Sequence, residues 1–94
     1  MHPGAILQRE FLRPLGLSLS AAARELNVPV TRISEIVRGR RRLSADTALR
    51  LARFFGTTPE QWLRLQAEYD LALARRRSGG SIQRSVAPLR RDES

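Results

Sequence analysis

The stretch from residue 19 to residue 38 limits the possible folds of this chain more than any other segment. It holds two short runs of apolar residues at helical spacing, separated by Leu26-Asn27-Val28. Asn27 is the non-glycine residue best suited to the positive φ that a tight turn between two helices requires. Ala22 and Ala23 are small enough for a second helix to cross the first at close range. The segment therefore predicts two helices that cross at a steep angle, which is the layout of a helix-turn-helix.

The second helix of this pair has an apolar inner face and a polar outer face. Ile33 and Ile36 recur at the spacing of a buried stripe. Arginine can donate two hydrogen bonds to guanine, threonine can contact a base edge or a thymine methyl, and glutamate can accept from cytosine. We therefore expect the outer face to lie in the major groove of DNA, where the base-reading residues would be Val30, Thr31, Arg32, Ser34 and Glu35. An ion pair of Glu35 with Arg32 or Arg38 is the alternative role for that carboxylate.

Positive charge is concentrated around this segment. The chain has a formal net charge of +8, and all 17 of its basic residues are arginine. Residues 24–53 carry a net charge of +5, whereas residues 54–74 carry −2. This imbalance predicts contacts to backbone phosphates, from arginine side chains and from the N–H groups at the start of a helix. The residues expected to make them are Ser18, Ser20, Arg38, Arg40, Arg41 and Arg42. A solvated loop at residues 40–42 is the alternative.

Helix-capping residues recur along the rest of the chain. Pro14 and Gly16 should end a first helix, Ser44 should begin a fourth, and Gly56 should end it. The inward residues expected on the fourth helix are Ala45, Ala48, Leu49, Ala52 and Phe55. Thr58-Pro59-Glu60-Gln61 should begin a fifth helix that runs to about Arg75. With no strand pattern, the predicted fold class is all-α, a compact bundle of five helices. Residues 1–77 should form a DNA-binding and dimerisation domain, and residues 78–94 a flexible basic tail.

Residue types that serve catalysis or metal binding are scarce. The chain has one histidine, no cysteine and no paired carboxylates at a useful spacing. Disulfides and thiolate metal sites are excluded, and we expect no enzymatic activity, metal, cofactor or small-molecule ligand. No apolar run is long enough to cross a bilayer, and the N-terminus lacks a signal pattern. The composition therefore predicts a cytoplasmic bacterial protein with no membrane partner.

The predicted fifth helix carries two apolar stripes. One consists of Trp62, Leu65, Tyr69 and Leu73, and the other of Leu63, Ala67, Leu71 and Ala74. A terminal helix on a small bundle needs one stripe for the core, so a second stripe favours an interface. We expect a two-fold dimer that uses Trp62, Leu63, Leu65 and Leu71. The alternative is that both stripes together form one broad core face.

Three segments of the chain resemble HigA-type antitoxins, which are Xre/lambda-repressor-like helix-turn-helix proteins. They are HPG at 2–4, ISEIVRGRRRLSADTALRLARFFGTTPEQWLRLQ at 33–66 and EYDL at 68–71. The resemblance covers residues 2 to about 73. It implies a dimer that binds a palindromic operator in its own promoter, represses the operon and neutralises a small basic toxin. Such toxins are typically HigB/RelE-like mRNA endonucleases. The resemblance carries the DNA-contacting roles to Thr31, Arg32, Glu35, Arg38, Arg40 and Arg41.

The resemblance leaves open where a toxin would bind, whether the start of the second helix holds a phosphate, and whether the protein has a toxin partner. Candidate toxin contacts are on the first helix, at Ile6, Arg9, Glu10 and Arg13, and on the outward side of the fifth. Many HigA-type proteins place a phosphate-binding glutamine near the start of the second helix, where this chain has Leu19. The alternatives are a stand-alone Xre-type repressor without a toxin partner and a module that binds only protein.

Overall fold

The protein is a bundle of five helices in a computed structural model that describes residues 1–90. The first helix, α1, covers residues 3–15 and consists of Pro3–Ile6, a π-helical segment Leu7–Leu12, and Arg13–Leu15. The others are α2 (Leu19–Leu26), α3 (Val30–Val37), α4 (Ala45–Phe55) and α5 (Pro59–Ser85). No strand occurs in residues 1–90. The predicted all-α fold with a helix-turn-helix is therefore confirmed.

Capping side chains fix where the helices begin. The Ser18 hydroxyl accepts from the Ala21 N–H at 3.0 Å, and the Ser44 hydroxyl accepts from the Thr47 N–H at 3.2 Å. At the start of α5, Thr58 and Gln61 each accept a hydrogen bond from the other's backbone, which is a complete capping box. The helix starts predicted at Ser44 and Thr58 are confirmed.

The core forms where α1 to α4 meet the first half of α5. Its buried apolar residues are Leu7, Leu12, Ala22, Ala23, Leu26, Ile33, Ile36, Leu43, Ala48, Leu51, Ala52 and Trp62. On α4 the predicted inward face was partly wrong, because Leu49 is 60% exposed and Ala45 is also exposed. Thr47 and Leu51 are buried instead. Thr47 tolerates burial because its hydroxyl oxygen lies 3.2 Å from the Ser44 hydroxyl, which satisfies its polar group.

The two apolar stripes of α5 have different environments. Trp62 is only 2% exposed, packs against Phe11 with ring centroids 5.0 Å apart, and donates from Nε1 to the Thr57 hydroxyl at 2.7 Å. Leu65 is partly buried against the same core. The stripe that contains them is thus the core face. The assignment of Trp62 to a dimer interface is therefore wrong, whereas that of the partly exposed Leu65 stays a prediction.

The C-terminal part of α5 continues past the end predicted from the sequence. The helix runs through Gly79 and Gly80 to Ser85 instead of ending near Arg75. A glycine ends a helix by adopting a positive φ, as Gly56 does at 71°, but neither Gly79 nor Gly80 does so. Residues 86–90 follow outside the helix, and residues 91–94 of the predicted tail lie outside the described residues. The division into a domain and a flexible tail stays a prediction.

Candidate DNA-binding surface

The turn between α2 and α3 has the backbone that the sequence predicts. Asn27 adopts φ 57° and ψ 49°, the left-handed conformation, and the Val28 N–H donates to the Ala23 carbonyl at 3.0 Å. Ala22 and Ala23 are buried where α3 crosses α2. The small residues and the turn residue together hold α3 close to α2 with its outer face free.

The predicted base-reading residues share the outer part of α3. Ile33 and Ile36 are fully buried, which fixes the rotation of the helix about its axis. Val30 and Thr31 are exposed, and Arg32, Ser34 and Glu35 are half-buried. The structure therefore brings all five residues to one accessible surface, while their contact with bases stays a prediction.

Two arginines and a carboxylate link α3 to α4. Oδ2 of Asp46 lies 2.8 Å from Nε of Arg50 and 3.4 Å from Nη1 of Arg32. The Arg50 hydrogen bond is the main cause that lowers the pKa of the Asp46 carboxyl below its ordinary value. The same Arg50 donates from Nη1 to the carbonyl oxygens of Leu26 and Asn27, at 3.0 and 3.1 Å. Arg50 thus joins the turn of the helix-turn-helix to α4.

The contacts of Arg50 were not predicted from the sequence. Its spacing from Asp46 could have predicted their ion pair, since an acidic and a basic residue four positions apart lie on the same side of a helix. The helix C-terminus that it caps lies 24 residues earlier in the chain. No local pattern reveals a contact of that range.

The arginines that follow α3 are exposed and lie beside two acidic residues. Arg38, Arg40, Arg41 and Arg42 are all accessible, in agreement with their predicted placement on a surface. Nε of Arg41 donates to Oε1 of Glu35 at 2.8 Å, so Glu35 pairs with neither Arg32 nor Arg38. Arg42 pairs with Asp70 of α5, and its hydrogen bond is the main cause that lowers the Asp70 pKa. These contacts order the loop without burying its charge.

The remaining residues predicted to contact phosphates lie at the start of α2. The hydroxyl oxygen of Ser18 accepts the capping bond from Ala21, whereas the Ser20 side chain is exposed. Leu19 is partly buried against the core. Ser18 would therefore contribute to anion binding mainly by orienting the N–H groups of the first turn.

The other two predicted surfaces are only partly accessible. Leu63 is 37% exposed and Leu71 is 51% exposed, which leaves both available to a second copy of the chain. On α1, Arg9, Glu10 and Arg13 are exposed and Ile6 is half-buried. Nη2 of Arg9 lies 3.3 Å from the Glu10 carboxylate. None of the helices described for residues 1–90 is both long and apolar enough to cross a membrane.

Comparison with known proteins places this fold in a family. A profile of the family described as Helix-turn-helix matches residues 8–63, which is more than half of the chain. Virulence-associated protein I of Dichelobacter nodosus is 53% identical over 74 residues, covering 79% of this chain and 68% of that protein. The chain belongs to this helix-turn-helix family. It spans about two thirds of the length of the curated relatives that it matches.

Solved structures of HigA-type antitoxins are similar to this chain over nearly its whole length. The structure of Pseudomonas aeruginosa antitoxin HigA with the higBA promoter superposes with a TM-score of 0.92 and 43% identity, covering 96% of this chain and 98% of that one. The antitoxin GraA in complex with its operator gives a TM-score of 0.92 and 44% identity, covering 97% and 92%. The resemblance to HigA-type antitoxins seen in the sequence is thereby confirmed.

Proposed function

We propose that this protein is an antitoxin that neutralises a HigB/RelE-like mRNA endonuclease by direct binding and represses its own operon as a dimer on palindromic operator DNA. The observation that carries the proposal is the α3 surface, on which Thr31, Arg32 and Glu35 are held outward by the buried Ile33 and Ile36. The promoter and operator complexes of Pseudomonas aeruginosa HigA and of GraA support a DNA partner.

In this proposal α3 lies in the major groove and the flanking groups hold the backbone. Arg32 donates to a guanine, and its neighbours Val30, Thr31, Ser34 and Glu35 contact adjacent base edges. The phosphate contacts come from both sides, from the start of α2 at Ser18 and Ser20 and from Arg38, Arg40, Arg41 and Arg42. Arg41 and Arg42 form exposed ion pairs with Glu35 and Asp70, and exposed ion pairs are weak. Because DNA presents many phosphates to these arginines, they exchange the carboxylates for phosphates on binding.

The second stripe of α5 is the proposed dimer interface. Leu63, Ala67, Leu71 and Ala74 recur at intervals of three and four residues, and the longer helix continues the series through Ser78 to Ile82. Leu63, Leu71 and Ile82 are large apolar residues that are exposed in one copy. Burial of this face against a second copy would offset the weak helix-forming tendency of Ser78-Gly79-Gly80. The two α3 helices of such a dimer would read half-sites about 34 Å apart.

The proposed toxin contact lies on the exposed side of α1. Ile6 and Glu10 line a groove of about 290 Å³ between α1 and α5, whose floor includes Phe11, Trp62 and Leu65. Arg9 and Arg13 lie on the adjacent exposed turns of the same helix. An apolar groove with a carboxylate at its edge suits an apolar side chain and a cation of a small basic partner.

Co-expression with the product of the neighbouring gene tests the antitoxin function. We expect a stable complex on affinity purification and two copies of this chain by multi-angle light scattering. Glu10→Arg should weaken the complex without affecting DNA binding, and Leu71→Glu should give a monomer. A dimer that binds DNA but retains no partner would contradict the antitoxin function and favour a stand-alone repressor.

A further inference from the structure

Asp46 occupies a central place between the turn of the helix-turn-helix and the base-reading surface. A single carboxylate oxygen accepts from both Arg50 and Arg32, on two different helices. Nη1 of the same Arg50 guanidinium donates to the carbonyl oxygens of Leu26, the last residue of α2, and of Asn27, which follows it. A continuous set of charge-assisted hydrogen bonds therefore runs from the turn through Arg50 and Asp46 to Arg32.

This set of bonds limits the orientations open to Arg32. An arginine side chain has several freely rotating bonds, and ordering them opposes any contact that it makes. Asp46 engages one terminal nitrogen of Arg32 and leaves the other N–H donors of the guanidinium available. The Arg32 side chain keeps 32% of its surface exposed, so its remaining donors are accessible to a base edge. A guanidinium held in one plane can select between bases, because its two parallel donors match only guanine well.

We infer that Asp46 is a positioning residue that sets the base preference of Arg32, with Arg50 holding Asp46 in register with the turn. The inference rests on the proposed DNA-binding function and adds a residue that would not itself contact DNA. It predicts that removal of the carboxylate changes the preference for one base pair, in addition to the change in affinity that follows from the altered net charge. Asp70 provides the contrast, since it holds Arg42 on the phosphate side of the surface.

Selection from a randomised duplex library separates these effects. Wild-type protein, Asp46→Asn and Asp70→Asn would each be selected at fixed salt, followed by binding measurements on the selected site and on single-base variants. Both substitutions remove one negative charge near the surface, so both should bind nonspecific DNA more tightly. Only Asp46→Asn should lose base preference, by about fivefold or more at one base pair of each half-site. A fivefold loss is about the smallest discrimination that one good side-chain contact to a base contributes.

A double-mutant cycle shows whether the effect passes through Arg32. In an Arg32→Ala background, Asp46→Asn should change the preference no further. Asp46 is exposed and 35% of the Asp70 side chain is exposed, so Asp46→Asn and Asp70→Asn should both remain folded, which thermal unfolding would verify. An unchanged preference in Asp46→Asn, or the same loss in Asp70→Asn, would overturn the inference while the DNA-binding function stands. Failure of the wild-type protein to enrich any sequence would overturn both.

Discussion

Gly4 of α1 lies directly against the carbonyl of Ile36 at the end of α3. A methyl group in place of its hydrogen would overlap the carbonyl oxygen of Ile36 and lie 2.9 Å from the Cα of Val37. Both obstacles are backbone atoms, so neither can rotate away. This close approach joins the N-terminal helix to the C-terminal end of the helix that carries the base-reading residues.

We therefore expect Gly4→Ala to force α1 away from α3. The overlap with backbone should destabilise the fold by roughly 1–3 kcal/mol, as overpacking does elsewhere. Urea unfolding followed by circular dichroism measures the change. Ala5→Gly on the same helix is the control, because it loosens the helix without adding an atom. Equal stability of Gly4→Ala and wild type would show that the two helices are not in contact at this point.

Arg50→Met should destabilise the helix-turn-helix. It removes two charge-assisted hydrogen bonds to Leu26 and Asn27 but keeps most of the aliphatic side chain. The expected cost is about 1–2 kcal/mol in the free energy of unfolding, and amide exchange should accelerate at the end of α2. Arg53→Met, at an exposed position one turn further along α4, provides a control of equal charge. If the two variants are equally stable, the Arg50 contacts contribute nothing to the turn.

Substitution of Gly79 tests the length of α5, and substitution of Gly56, at the end of α4, provides the comparison. Gly79 has a helical backbone, and the methyl group of an alanine there would lie 3.8 Å from the Cβ of Arg75, which is an ordinary contact. Gly79→Ala should therefore stabilise the protein by about 0.5–1 kcal/mol. Gly56→Ala should destabilise it by about 1–2 kcal/mol, since φ is 71° there. Thermal unfolding and helix content by circular dichroism measure both. No gain in stability or helicity from Gly79→Ala would mean that the helix ends before residue 79.

Local signals account for the parts of the fold that the sequence predicted. A capping serine or threonine, or an asparagine in a turn, acts on backbone groups within three or four residues. Ser44, Thr58 and Asn27 were for this reason interpreted correctly. The end of α5 was not, because a Gly-Gly pair is compatible with both a helix and a turn. A contact with the rest of the molecule, or with a second copy, decides between them.

Long-range packing decided the features that the sequence left open. Both stripes of α5 are apolar, and packing against residues such as Phe11 of α1 decides that the stripe with Trp62 faces the core. The partners of Asp46 and Arg50 could not be predicted from local patterns, because Arg32 and Leu26 lie 14 and 24 residues away along the chain. Hydrophobic spacing identifies a face but does not say what will cover it.

His2 should make stability depend on pH in a defined range. Its Nδ1 accepts from the Gly4 N–H at 2.9 Å, which only the unprotonated nitrogen can do. Burial lowers the His2 pKa below the ordinary 6.5; the Asp70 carboxylate opposes this, and the N-terminal ammonium adds to it. Between the lowered pKa and 6.5 the unfolded chain binds more protons, so stability is complete above 6.5 and falls as the pH is lowered through this range.

The measurement is the unfolding free energy from about pH 8 to about pH 5, where the carboxylates with lowered pKa values, Asp46 and Asp70, remain ionised. His2→Asn keeps a capping side chain that does not titrate, so its profile should be flatter than that of wild type in this range. Identical pH profiles for the two proteins would show that His2 does not contribute to the pH dependence.

Binding to the DNA upstream of its own gene tests whether the outer face of α3 reads an operator. Fluorescence anisotropy across a series of salt concentrations would compare wild type, Arg32→Ala and Arg41→Ala on that DNA and on a scrambled duplex. Arg32→Ala should lose about 1–3 kcal/mol on the specific DNA only, and Arg41→Ala should weaken both and reduce the salt slope by about one. If the wild-type protein binds both duplexes equally, or neither substitution changes binding, the α3 surface is not the operator-binding site.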